Sequence, residues 1–161
     1  MANDGRIGGT GAALGVVAVV VGVAACVGGL SAAMAVVVAV PNFVMTQLRA
    51  KRLEVPGNVE SIVTAELAYG DVHDAWLPVG SEPEARRSVS TQLRPFRTDE
   101  AWTRLGWSPE GDIRGAYWVV VTPAGFEVPG VCDVDGDGVL AEYVAGSDTH
   151  DARAITAPDV F

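Results

Sequence analysis

Ala39-Val40-Pro41-Asn42-Phe43-Val44-Met45-Thr46-Gln47-Leu48-Arg49-Ala50-Lys51-Arg52 is the stretch on which the fold turns, because an uncharged apolar run ends in it and a charged sequence begins. Upstream, Ile7 to Leu48 form about 42 consecutive uncharged residues, against the ~20 needed to span a bilayer. A proline inside such a pattern removes an N–H and clashes with the preceding turn, so Pro41 is expected to kink the helix without ending it. Downstream, Leu48, Val55, Ile62 and Tyr69 recur every seven residues with Val59 between them, while Arg49, Lys51, Arg52, Glu54, Glu60 and Glu66 occupy other positions. The spacing predicts an amphipathic helix over 49–70 that continues the membrane helix of 1–48, with a kink or break near Pro56-Gly57.

The composition agrees with this division. Of 161 residues, 49% are hydrophobic but only 7% aromatic and 19% charged, so the apolar content is mostly small aliphatic. From Arg49 onward the chain carries the whole net charge of −9, which excludes nucleic acid and anionic lipid headgroups as its main partners. Cys26 lies in the apolar run and Cys132 in a polar segment, so no disulfide framework is expected.

Within the apolar run, Gly11-Ala12-Ala13-Leu14-Gly15 sets small residues four apart, continued by Ala18/Gly22 and Ala25/Gly29/Ala33. Gly11, Gly15, Gly22 and Gly29 are therefore candidate helix-packing positions in lipid. Three topologies fit the length. One helix of about 42 residues would run roughly 60 Å. A hairpin could turn at Gly28-Gly29, though no charge would hold that turn at the interface. A lipoprotein could be cleaved before Cys26, after Val23-Ala24-Ala25, although the chain stays apolar for ~15 residues beyond it. Arg49, Lys51 and Arg52 follow the span closely, and the positive-inside rule alone would place the C-terminal part in the cytoplasm.

Ala39-Val40-Pro41-Asn42-Phe43, the basic Arg49-Ala50-Lys51-Arg52, Asn58 and Thr64-Ala65-Glu66-Leu67-Ala68-Tyr69 together resemble type IV pilins. The similarity is greatest to pilin-like proteins of delta-proteobacterial and myxobacterial lineages. Leu105-Gly106-Trp107-Ser108-Pro109 and Ala116-Tyr117-Trp118-Val119 look like the family's turn and first sheet strand, and the resemblance runs from about Met34 to Val144. It implies a single-pass inner-membrane protein with a periplasmic or extracellular head domain. Its partners would be the bilayer and like subunits, or other pilin-like proteins, met through the N-terminal helix. It also implies a peptidase glycine and a glutamate five residues into the mature chain. By the family spacing these fall at Val19 and Ala24, with the mature chain starting at Val20, and none of the three matches. The expectation is therefore a non-catalytic, membrane-anchored subunit of a pilus-like or pseudopilus filament that keeps its full chain. Two rivals stay open: a monomeric anchored binding module with a pilin-like fold, and a lipoprotein modified at Cys26.

The head, 71–145, is expected to be α+β. Asp71 to Arg97 is polar and proline-dotted, a long connection with a short helix around Glu84 to Leu93. Thr98 is placed to cap a short helix that Gly106 ends. Gly115 to Thr122, Phe126 to Val131 and Val139 to Ala145 read as strands, turned at Pro123-Ala124-Gly125, and their antiparallel sheet should cover the Val55 to Tyr69 helix. The tail, 146–161, rich in Asp, Ala and Thr, is expected to be loose.

Chemistry-bearing patterns are few. His73 and His150 each neighbour an aspartate, but no nucleophile pattern accompanies them, and surface positions are expected. Glu54, Glu60 and Glu66, six apart, do not share a helix face. No cofactor is expected. Asp133-Val134-Asp135-Gly136-Asp137-Gly138 resembles the first half of an EF-hand loop, with Val144 where the bidentate glutamate would stand. Two readings stay open for Asp133, Asp135 and Asp137: a turn stabilised by Asp-Gly pairs, and a weak calcium site.

Overall fold

The computed structural model describes residues 42–80 and 82–161. The chain divides into two units, Met1–Met45 and Thr46–Phe161. Of the first unit the described residues, 42–45, are helical. The packing glycines Gly11, Gly15, Gly22 and Gly29, the Gly28-Gly29 turn, Cys26 and the Pro41 kink lie outside the described residues. Among the described residues no helix is long and apolar enough to cross a membrane.

In the second unit, helical residues 46–52 meet a turn residue, Leu53, and then helix α1, Glu54–His73. The break expected at Pro56-Gly57 falls three residues earlier. Pro56 lacks the N–H that would bond the carbonyl of Arg52, and its ring crowds that carbonyl, so the regular pattern is lost just before α1. Pro56 itself sits in the first turn of α1, where N–H groups have no intrahelical partner anyway. The helix ends at Asp74, whose left-handed φ of 51° lets its N–H reach the Gly70 carbonyl at 2.9 Å.

One face of α1 is buried: Val55, Val59, Ile62, Val63 and Glu66. The heptad reading holds for Val55 and Ile62, with Leu48 and Tyr69 half-buried. It fails for Arg52 and Glu66, expected among the outward positions, which are 7% and 0% exposed. Both stand at helical spacing from the apolar stripe, Arg52 three before Val55 and Glu66 four after Ile62, so helix geometry takes them inward despite their charge.

The covering sheet is antiparallel, as expected. Its strands are β1 (Ala116–Tyr117), β2 (Val120–Thr122), β3 (Gly125–Cys132), β4 (Ala141–Gly146) and β5 (Arg153–Ala154). Their order is β1-β3-β4-β5, with β2 also on β3. β1 and β2 share one register on β3, Ala116↔Val131 and Tyr117↔Gly130, then Val120↔Glu127 to Thr122↔Gly125. The expected single strand is interrupted at Trp118-Val119 for a physical reason. The Pro129 carbonyl accepts the Trp118 N–H at 3.3 Å, so the N–H that Pro129 lacks faces this same edge and the ladder loses a bond there. Val119 instead exchanges both backbone hydrogen bonds with Val79.

Phe126, Val128 and Cys132 of β3 and Ala141, Tyr143 and Ala145 of β4 are buried on the sheet face that meets α1. Gly130 stands at the closest approach: a Cβ there would lie 2.5 Å from Val59 Cγ2 and 2.9 Å from Val55 Cγ1. On the other face, Ala116, Trp118 and Val131 pack with Ala85, Val89 and Leu140 beneath helix α2, Glu82–Arg87. Arg86 of α2 pairs with Glu142 at 2.7 Å and lies over the Trp118 ring. Helix α3, Glu100–Leu105, buries Trp102 and Leu105 and ends at Gly106. Its cap is Asp99, one residue past the expected Thr98: Asp99 is extended, and its Oδ1 accepts the Trp102 N–H at 3.0 Å.

The tail is not loose. β5 pairs with β4 through Tyr143↔Ala154 and Val144↔Arg153, the Ile155 N–H donates to the Glu142 carbonyl, and the Ala152 N–H donates to Glu60 on α1. Arg52 Nη1 donates to the carbonyls of Pro158 (3.0 Å) and Val160 (2.6 Å), and at longer range to Ala157 (3.4 Å). Arg52 Nε donates to the Tyr143 hydroxyl, its guanidinium lies over the Tyr143 ring, and Phe161 is buried beside it. Polar composition misled here because the segment is held by backbone pairing, one cation and the single buried ring of Phe161, not by a repeating apolar face.

Candidate functional site

The connection between β3 and β4 carries the acidic stretch 133–138. Gly136 and Gly138 adopt φ of 80° and 85°, the left-handed region that glycine enters without strain. Asp133 accepts the Gly136 N–H at 2.7 Å and, through its second oxygen, the Gly138 N–H at 3.1 Å. Asp137 accepts the Val139 N–H at 2.7 Å, and Asp135 accepts the Asp137 N–H at 3.4 Å. These bonds account for the turn without an ion.

The three carboxylates nevertheless converge, each offering an oxygen within 4.8 Å of the others. Oxygens held about 2.4 Å from one Ca²⁺ are at most about 4.8 Å apart, so the spacing is compatible with a shared cation. Asp133 is half-buried and the other two are exposed, and three ligands fall short of the six to eight that calcium takes, which would leave water to complete the shell. If the three aspartates hold calcium, millimolar Ca²⁺ raises the melting temperature of the full chain, with affinity on the order of 10⁻⁴–10⁻³ M. An Asp135→Ala/Asp137→Ala variant should lose that response. An unchanged melting temperature in the native chain would leave the turn alone.

Charged groups inside the domain form a second set. Glu54 Oε1 accepts the backbone N–H groups of Arg114 (2.8 Å) and Gly115 (3.1 Å) and the Tyr117 hydroxyl (3.2 Å), and Asn58 donates to that hydroxyl at 2.8 Å. This knot ties the first turns of α1 to the entry of β1, and burial pushes the Tyr117 hydroxyl far above its ordinary range. Asn58, one of the residues that carry the family resemblance, thus has a structural partner.

Glu66 is different in kind. Its Oε2 accepts the Leu77 N–H at 3.2 Å, while its Oε1 has no hydrogen-bond partner. Burial raises its pKa, and the Leu77 N–H opposes that shift only in part. A raised carboxyl pKa contributes stability that is complete below the unfolded value and is lost as pH rises through the folded value. Glu66→Gln, which cannot ionise, is therefore expected to be more stable than the native chain at pH 8 and to converge with it near pH 4. Thermal melts at the two pH values check this, and an equal offset at both would show that ionisation of Glu66 is not the cause.

Neither histidine enters a constellation. His73 is exposed, stacks on Tyr69 with ring centroids 4.0 Å apart, and has Nδ1 3.0 Å from the Tyr69 carbonyl; His150 is exposed in the turn before β5. Cys132 is free and fully buried, and burial pushes its thiol up to about 12, which makes it inert as a nucleophile. A groove of about 420 Å³ runs along the outer sheet face between Glu127, Val144, Ser147 and Arg153, open to solvent. Comparisons of the chain with protein-family models, curated proteins and solved structures give no match.

Proposed function

We propose that the chain is a non-catalytic, membrane-anchored structural subunit of a pilus-like or pseudopilus filament, with its head outside the cytoplasm. The observation that carries the reading is the order of parts. About 42 uncharged residues lead into a helix whose buried face is covered by a small antiparallel meander, the arrangement that the resemblance implies. Subunits would pack through Gly11, Gly15, Gly22 and Gly29. The head would supply the outer surface, stiffened by its Glu54 and Arg52 networks.

The absence of the family's glutamate and cleavage glycine, with Ala24 and Val19 in their places, favours one rival: an anchored head that does not assemble. A Gly15→Cys/Gly22→Cys double variant on a Cys26→Ser/Cys132→Ala background, oxidised in native membranes, separates the two. Ladders of dimers and higher multiples are expected for a filament subunit, and a monomer alone would leave the binding module. Intact mass of the extracted protein is expected to equal the full chain. A start near Val20 would show pilin-type processing, and a diacyl mass at Cys26 would show a lipoprotein.

A further inference from the structure

Between α2, the segment around Arg94 to Arg97 and the entry of β1 lies a cleft of about 240 Å³. Its lining includes Phe96, Trp102 and Ile113, together with Arg94, exposed Arg97 and exposed Glu84. Arg94 is fixed in place: its backbone exchanges hydrogen bonds with Ile113 at 2.8 and 2.9 Å, and its Nη2 donates to the Gly115 carbonyl at 2.8 Å and to Ser88 Oγ at 3.1 Å. Its Nε is enclosed and has no acceptor. Among the described residues no carboxylate forms an ion pair with Arg94 or Arg97.

That arrangement is unusual in a chain with 20 acidic residues and a net charge of −9. A half-buried guanidinium stays charged at neutral pH, and its desolvation, which the nearby Glu54 carboxylate offsets only in part, costs free energy that an oxyanion in the cleft would offset further. Within the lining, Arg94 and Arg97 against the one carboxylate of Glu84 suit a single negative charge. The N–H groups of Arg94 and Arg97 that have no protein acceptor can donate to a carboxylate, and the aromatic and aliphatic walls suit a hydrocarbon body. The volume lies below the roughly 300 Å³ at which most ligand pockets begin, so the guest is about the size of one ring.

We propose that this cleft binds a small monocarboxylate with an apolar body, its carboxylate on Arg94 and Arg97 and its body against Phe96, Trp102 and Ile113. The site is independent of filament assembly.

The test uses the full chain in nanodiscs, titrated with phenylacetate and, separately, with inorganic phosphate. The Arg94 Nε–H resonance and tryptophan fluorescence, to which Trp102 contributes, are the readouts. Saturable shifts with phenylacetate on the order of 1 mM are expected, with little response to phosphate at equal concentration. Arg97→Gln, at an exposed position without a hydrogen bond or ion pair among the described residues, should leave the fold intact and weaken binding about three- to tenfold, roughly 0.7–1.4 kcal/mol. Arg94→Gln should abolish binding; if that variant fails to fold, the Arg97→Gln result decides. The proposal is overturned by no saturable shift, by an Arg97→Gln affinity equal to the native one, or by phosphate binding as well as phenylacetate.

Discussion

Replacing Phe126 with alanine is expected to cost about 3–5 kcal/mol of folding stability, the range for removing an aromatic side chain from a packed core. Phe126 is 2% exposed, projects from the central strand β3 toward α1, and packs against the Trp76 ring at a centroid distance of 4.8 Å. Trp76 is in turn held over Gly70 near the end of α1, where any Cβ would overlap the indole. The cavity would therefore be lined by side chains that cannot all relax into it. Small domains have a total margin of about 5–15 kcal/mol, so the loss should move the unfolding midpoint far down in temperature or urea. Val121→Ala, directly across the ladder from Phe126 but 39% exposed, should cost less than about 1 kcal/mol. Similar losses at the two positions would mean that the core is not centred where β3 faces α1.

The second large effect is expected at Arg52. Arg52→Ala leaves the carbonyls of Ala157, Pro158 and Val160 and the Tyr143 hydroxyl without their shared donor, and removes the cation from the Tyr143 and Phe161 rings. A deserted buried acceptor costs about 1–3 kcal/mol, but carbonyls near the surface can turn toward water, so about 2–4 kcal/mol in all is expected. Hydrogen exchange gives the more specific check. The Ile155 amide, bonded to the Glu142 carbonyl, should exchange much faster in Arg52→Ala while amides of α1 keep their protection. Arg52→Lys, which keeps one charge but loses the fork, should fall between the two. Unchanged exchange at Ile155 would show that β5 holds the tail without Arg52.

Where sequence and structure agree, the agreement has local causes. The three strand runs are rich in β-branched and aromatic residues, the turn at Pro123-Ala124-Gly125 lies between two of them, and Asp133 to Gly138 carries the glycines and side-chain acceptors that a tight connection needs. Those features act within a few residues and can be read there. Glu66 and Arg52 were misplaced outward, although both fall on the helical spacing of Val55, Val59 and Ile62. Their charge argues for the surface, and only the packing partners, a backbone N–H for one and three carbonyls with a phenol for the other, explain why they are inside. Interruption of the first strand at Trp118 required knowing that Pro129 stands opposite. The carboxylate cleft could not be seen in one dimension, because Arg94, Trp102 and Ile113 come from separate segments and none carries a pattern of its own. The acidic turn, by contrast, was contiguous and so was visible as a candidate from the start.

Arg52 stands at the entry to the domain, and the acceptor it reaches at Val160 is 108 residues farther along the chain. Loop closure over such a separation has to be met before the contact returns any stability, which places it late in folding. While the chain is being made, α1 and the β3–β4 hairpin can pair, but β4 keeps an unpaired edge and Arg52 lacks its three carbonyl acceptors until residues 153 to 161 arrive. The head thus has a built-in order of completion, in which the lock on its first helical turns closes last. Until then, a bared β4 edge is the surface through which newly made copies would mispair.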